Sequence, residues 1–150
     1  MSENSIQSAT SAAMAPIGGR LHHVGFVVAS ISNVAKPFAA SLCGTWDERI
    51  FADPNQSVRV TFLEGPGASD ALVELIEPDG PDSPVLSFLK KGGGLHHLCY
   101  EVKSLESQLK FAQTTGGKIV RPPLPAVAFN GRRIAWVYTR YQLLLEFLEQ

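Results

Sequence analysis

The sequence predicts an α+β fold made of two tandem copies of one βαβββ module. Two self-similarities carry this. Residues 21 to 28, Leu-His-His-Val-Gly-Phe-Val-Val, return as residues 95 to 102, Leu-His-His-Leu-Cys-Tyr-Glu-Val. Residues 72 to 77, Leu-Val-Glu-Leu-Ile-Glu, return as residues 144 to 149, Leu-Leu-Glu-Phe-Leu-Glu. The offset is 74 residues from His23 to His97 and 72 from Glu74 to Glu146. A third observation is that apolar runs and chain breakers follow the same order in both copies. A repeat of this length is a supersecondary unit and not a solenoid turn.

The first module, 20–80, opens with a strand over 21–28. Ile31, Val34, Phe38 and Leu42 follow at helical spacing, and Gly44 is placed to end that helix. Pro37 weakens it unless it falls in the first turn. Three β-like runs come next, near 45–51, 57–63 and 71–77. The breakers Asp53-Pro54-Asn55 and Gly65-Pro66-Gly67 separate them. A linker helix is expected within 83–92: Ser83 can cap it, Pro84 suits its first position, and Gly92 to Gly94 end it. The second module, 94–150, begins with a strand over 95–102. Its helix carries Leu105, Leu109 and Ala112 on one face and stops at Gly116-Gly117. Strands near 118–121, 132–139 and 143–149 complete it. Residues 1–19 are rich in Ser and Ala, lack an early positive charge and lack a long apolar core. They read as a flexible N-terminal tail and not as a secretory signal.

The chain has 150 residues and a formal net charge of -1, which suits one domain or two small halves packed together. There is no basic excess to mark a nucleic-acid partner. No apolar run reaches the length of a membrane span. Cys43 and Cys99 lie far apart inside apolar segments, so both are expected as buried free thiols of a cytoplasmic protein.

Chemistry concentrates in the repeated segments. All four histidines of the chain lie in the two His-His pairs. Side chains alternate along a strand, so Glu74 shares a face with Leu72 and Ile76, and Glu146 shares one with Leu144 and Leu148. A carboxylate among apolar neighbours needs a partner such as a metal or a positive group. Glu77 and Glu149 fall on the other face and read as solvated strand ends. His23 and His97 likewise face away from His22 and His96, and periodicity alone does not say which pair looks into a site. Two His and two carboxylates suit one divalent ion such as Zn, Co, Ni or Mn.

At these residues the sequence resembles the vicinal oxygen chelate superfamily (glyoxalase, bleomycin resistance, dioxygenase), over residues 21–150. The resemblance implies a glyoxalase-like fold in which two βαβββ modules form a curved mixed sheet around a metal site. Within that group it is most similar to the methylmalonyl-CoA epimerases. The run Val73-Glu74-Leu75-Ile76-Glu77-Pro78, then Asp82-Ser83-Pro84 with Phe88-Leu89, then Gly94-Leu95-His96-His97-Leu98, carries the likeness, with Leu144-Leu145-Glu146 as the closing strand. The resemblance selects the second histidine of each pair and gives His23, Glu74, His97 and Glu146 as metal ligands.

It also implies proton abstraction beside a carbonyl through an enolate, with Glu146 as one base. The sequence departs from that pattern where a second glutamate base is found in such epimerases, because Val60 stands there. Glu48 and Glu64 are near in sequence only. His22 replaces a usual Asp, and the turn 138–142 lacks the usual Pro and Gly. The implied partner is a small-molecule substrate, in the epimerase case an acyl-CoA, whose phosphates Lys90, Lys91, Arg121, Arg132 or Arg133 could meet. Arg132 is the residue singled out for substrate binding, beside Asn130 and Gly131 in a loop expected over the site. A homodimer is what the superfamily suggests. Two alternatives stand beside the epimerase reading: a glyoxalase-type isomerase or lyase, and a non-catalytic small-molecule-binding protein of the resistance type. An extradiol dioxygenase fits less well, since four ligand positions are filled.

Overall fold

The computed structural model describes residues 18–150. The tail expected over 1–19 lies outside that range except for Gly18 and Gly19, and Gly19 already belongs to the first strand. The first half comprises β1 (Gly19–Val27), α1 (Ile31–Ser41), β2 (Thr45–Trp46), β3 (Phe51–Asp53), β4 (Val58–Glu64) and β5 (Leu72–Pro78). A short helix α2 (Leu86–Lys90) leads to β6 (Gly94–Val102), α3 (Leu105–Thr114), β7 (Lys118–Pro125), β8 (Arg133–Tyr138) and β9 (Leu144–Glu149).

The strands form one curved open sheet in the order β2-β4-β5-β1-β6-β9-β8-β7, with β3 paired on β4. β1 runs parallel to β5 and β6 runs parallel to β9, while β1 and β6 pair antiparallel. Outward from that central pair, β1-β5-β4 on one side mirrors β6-β9-β8 on the other. The two modules are thus related by a pseudo-twofold axis between β1 and β6.

Strand alternation assigns the two faces. Ile31, Ala35 and Ala39 of α1 pack on Leu63 and Leu75, and Leu105, Leu109 and Ala112 of α3 pack on Ala135, Val137 and Phe147. Each helix therefore covers the face opposite Glu74 or Glu146. The other face holds two clusters, one around Val58, Val60 and Ile76 and one around Ile134 and Leu148.

Several local expectations are corrected. α1 runs through Pro37. Pro37 and Asn33 lie on the exposed side, where the carbonyl left without its amide partner can reach water, and packing of the other side outweighs the lost bond. The run 45–51 breaks into β2 and β3, with Glu48 between them at φ 63. The linker helix is five residues long, and its N-cap is Val85. Ser83 does not cap it; its buried Oγ has no partner. Cys43 is exposed and only Cys99 is buried, both free.

Glu77 and Glu149 are not solvated strand ends. Glu77 accepts the backbone N–H of Ile31 at 2.7 Å and pairs with Arg59. Glu149 accepts that of Leu105 at 3.3 Å and pairs with Arg133 at 2.8 Å. Each carboxylate thus meets the first N–H groups of its module's helix, where the helix dipole favours negative charge.

Candidate metal centre

His23, Glu74, His97 and Glu146 come from the four central strands β1, β5, β6 and β9, and they converge on one point. His23 Nε2 lies 3.1 Å from His97 Nε2, 3.4 Å from Glu74 Oε2 and 3.1 Å from Glu146 Oε2. His97 Nε2 lies 3.4 Å from Glu74 Oε2 and 3.5 Å from Glu146 Oε2. All four side chains are buried. The register makes room for them. Gly25 stands opposite both Glu74 and His97, and a Cβ at Gly25 would clash with the His97 ring, closest to its Cε1. Cys99 holds the equivalent place opposite His23 and Glu146.

The first histidine of each pair does not face away as strand alternation predicts. The β1–β6 register shifts once between Leu21 and His23, and once between Gly25 and Phe26, where the pairing on β6 skips His96. His22 and His96 are therefore the extra residues of two β-bulges, which re-aim side chains. Their rings sit edge-on to those of the adjacent histidines, at 5.2 Å for His22–His23 and 5.3 Å for His96–His97.

Electrostatics match a cation site. Among the described residues, the only ion-pair partners of Glu74 and Glu146 are the two imidazoles. Glu146 Oε2 is fully enclosed, and it meets the imidazole Nε2 atoms of His23 and His97 at 3.1 and 3.5 Å. Burial works against protonated His23, yet the Glu74 carboxylate, the Cys99 contact and Glu146 outweigh it and hold its pKa well above the ordinary value. Burial likewise opposes charge on Glu146, but His23 and His97 keep its pKa well below the usual carboxylate range. A proton on His23 thus balances the buried Glu146 carboxylate, and a divalent ion would take over that role. The two imidazole Nε2 atoms lie 3.1 to 3.5 Å from each other and from each carboxylate, separations that let bonds of about 2.0–2.2 Å meet at one ion. The donor set fits the ion. His23, Glu74 and His97 form one group of donor atoms within 4.8 Å of one another, and His22, His23 and Cys99 form a second. Burial pushes the Cys99 thiol far up, with Glu146 adding to the effect, and a protonated thiol is a poor ligand.

A cavity of about 290 Å³ adjoins Glu74, His97 and Glu146. A second, of about 450 Å³, lies on the His22 side. They are pseudo-equivalents: His96, Trp136 and Leu144 line the first where His22, Phe62 and Leu72 line the second. Phe129 lines both and stacks on the His23 ring at 5.8 Å, so only the first cavity reaches the carboxylates. Trp136 packs edge-on to His97 at 4.7 Å. Neither Phe129 nor Trp136 stood out in the sequence. For Trp136 the signal is its match to Phe62 at the 74-residue offset.

Arg132 is not brought to the four. Its guanidinium meets Glu101 at 3.2 Å and donates to the Glu149 carbonyl at 2.7 Å. Arg133 is held by Glu106 and Glu149. Arg121 lines the first cavity and donates to the Asn55 carbonyl. Over the site the loop places Phe129, not Gly131. Val60 lines the first cavity; Glu48 and Glu64 do not.

This fold and its duplicated histidine and glutamate strands define the class. The chain belongs to the glyoxalase/bleomycin resistance protein/dioxygenase superfamily, whose family model matches residues 22–136. Among its relatives, ethylmalonyl-CoA/methylmalonyl-CoA epimerase of Cereibacter sphaeroides is 27% identical over 124 residues, covering 81% of this chain and 90% of that protein. The uncharacterized protein YqjC of Bacillus subtilis is 34% identical over 122 residues, covering 81% and 84%. The crystal structure of methylmalonyl-CoA epimerase from Mycobacterium tuberculosis shares the fold, with a TM-score of 0.76 at 24% identity over 91% of each chain. No described helix is long and apolar enough to cross a membrane.

Proposed function

We propose that this chain is a metal-dependent isomerase acting on an acyl-CoA, in the manner of a methylmalonyl-CoA epimerase, with His23, Glu74, His97 and Glu146 as the ligands. The observation that carries the reading is the enclosed His₂Glu₂ cluster at the head of a cavity, in a chain related to an epimerase. A divalent ion held there supplies Lewis-acid stabilisation of the negative charge that develops on a carbonyl oxygen. The four residues hold it, and the buried walls exclude water from it. Glu146 borders the cavity, and by its likeness to the epimerases it is the base that removes a proton from the carbon beside the carbonyl.

The opposite wall favours a second reading. Val58, Val60, Ile76 and Val85 make it apolar. Among the described residues, Asp53 is the one further carboxylate on the cavity, and it is committed to the Asn55 N–H and the Gln56 amide. One base on one face suits a glyoxalase-type isomerase or lyase, which needs no base on the other.

Both readings are tested by incubating one epimer of methylmalonyl-CoA in D₂O, with chelator-treated protein and with added Co²⁺. Metal-dependent exchange with inversion at the carbon beside the thioester is the expected result. Exchange with retention points to the single-base isomerase. No exchange by protein that holds its ion removes the acyl-CoA substrate from consideration.

A further inference from the structure

The geometry points to His22 and His96 as a duplicated pair of positioning residues, each accepting at Nδ1 the Nδ1–H of the neighbouring ligand so that His23 and His97 present bare Nε2 atoms to the ion. This rests on the metal reading above and not on the reaction.

His22 Nδ1 lies 2.9 Å from His23 Nδ1, and His96 Nδ1 lies 3.1 Å from His97 Nδ1. Two neutral imidazole nitrogens at that distance share a single proton, so one ring donates and the other accepts. The ligand rings decide which. Nε2 of both faces the cluster, and an imidazole that gives Nε2 to a metal carries its proton on Nδ1. His23 and His97 therefore donate, and His22 and His96 accept, with their own protons on Nε2. Such an outer partner fixes the tautomer and the ring plane of a ligand and raises its basicity.

Local backbone makes this possible. Adjacent residues of a regular strand point to opposite faces, and their rings cannot meet. Here each accepting histidine is the extra residue of a β-bulge, which turns its ring towards its neighbour. The same bulge, ring contact and nitrogen pair occur in both modules, although the two strands differ at Gly25 and Cys99. Packing holds the acceptors in place: His22 lies against Phe129 at 5.4 Å, and His96 against Phe88 at 4.9 Å and Trp136 at 6.3 Å. With its Nδ1 committed, His96 has one polar atom left for the cavity it lines, the Nε2–H donor.

The direct test is long-range ¹H–¹⁵N NMR of the imidazoles in the full chain loaded with Zn²⁺. Nδ1–H tautomers at His23 and His97, with Nε2–H tautomers at His22 and His96, are expected. A proton on Nδ1 of His22 or His96 overturns the assignment. In parallel, Co²⁺ affinity is measured by titration calorimetry for His22→Leu, His96→Leu and the two Asn variants. Leu should weaken binding by about 10–100-fold, and Asn, whose Oδ1 accepts near the Nδ1 position, should restore most of it. Leu variants that fold and bind Co²⁺ like the wild type overturn the inference and leave the metal reading intact. A wild type that binds no Co²⁺ removes both.

Discussion

His23 is the residue on which the site's charge balance turns. Its pKa is raised in the folded protein, so its contribution to metal-free stability is fully present below the ordinary histidine range. That contribution is lost as pH rises through the folded value. Glu146 is depressed, so its contribution is present above the ordinary carboxylate range and lost as pH falls through its folded value. A metal bound at the proposed site would replace the imidazole proton, while at low pH protons would compete for the same residues. Thermal melts from about pH 5 to about pH 10 should show the chelated protein losing stability on the alkaline side, and Co²⁺ removing that loss. An alkaline loss that persists with the ion bound would separate His23 from the metal site.

At the scale of elements, one strand does two jobs by alternation. β5 and β9 each turn one glutamate to the cluster and another, three residues on, to the start of a helix. Arg59 and Arg133 hold that second carboxylate at equivalent positions. Glu149→Gln is expected to cost about 1–2 kcal/mol of stability, the range for a charge at a helix N-terminus with a charged hydrogen bond. It should leave metal affinity unchanged, whereas Glu146→Gln should weaken metal binding at least about tenfold. Urea denaturation and metal titration of the two variants check this, and equal behaviour would mean that the two faces are misassigned.

For the whole molecule, the cluster takes two donors from each module across the β1–β6 seam, so one ion held there would tie both halves together. Binding to the native state alone stabilises by mass action. At about a thousandfold excess of metal over Kd the gain is about 4 kcal/mol, which raises Tm by roughly 10 °C for a chain of this size. Differential scanning calorimetry with and without chelator reads it directly. A Tm that does not move with Co²⁺ would show that the cluster is closed without an ion.

The sequence by itself determined the duplication, the βαβββ order of each half and the helix faces, because the period-2 and period-3.6 patterns are written locally and twice. It also singled out the carboxylates at Glu74 and Glu146, because alternation puts each among apolar neighbours. Three things only the tertiary structure decided. The modules join through an antiparallel β1–β6 pair, and a local pattern does not encode which strand edges meet. His22 and His96 turn inward, because a bulge is a property of two paired strands and not of one. Phe129 separates one of two equivalent cavities from the carboxylates, because its ring reaches His23 from a loop more than a hundred residues away, a contact with no period to betray it.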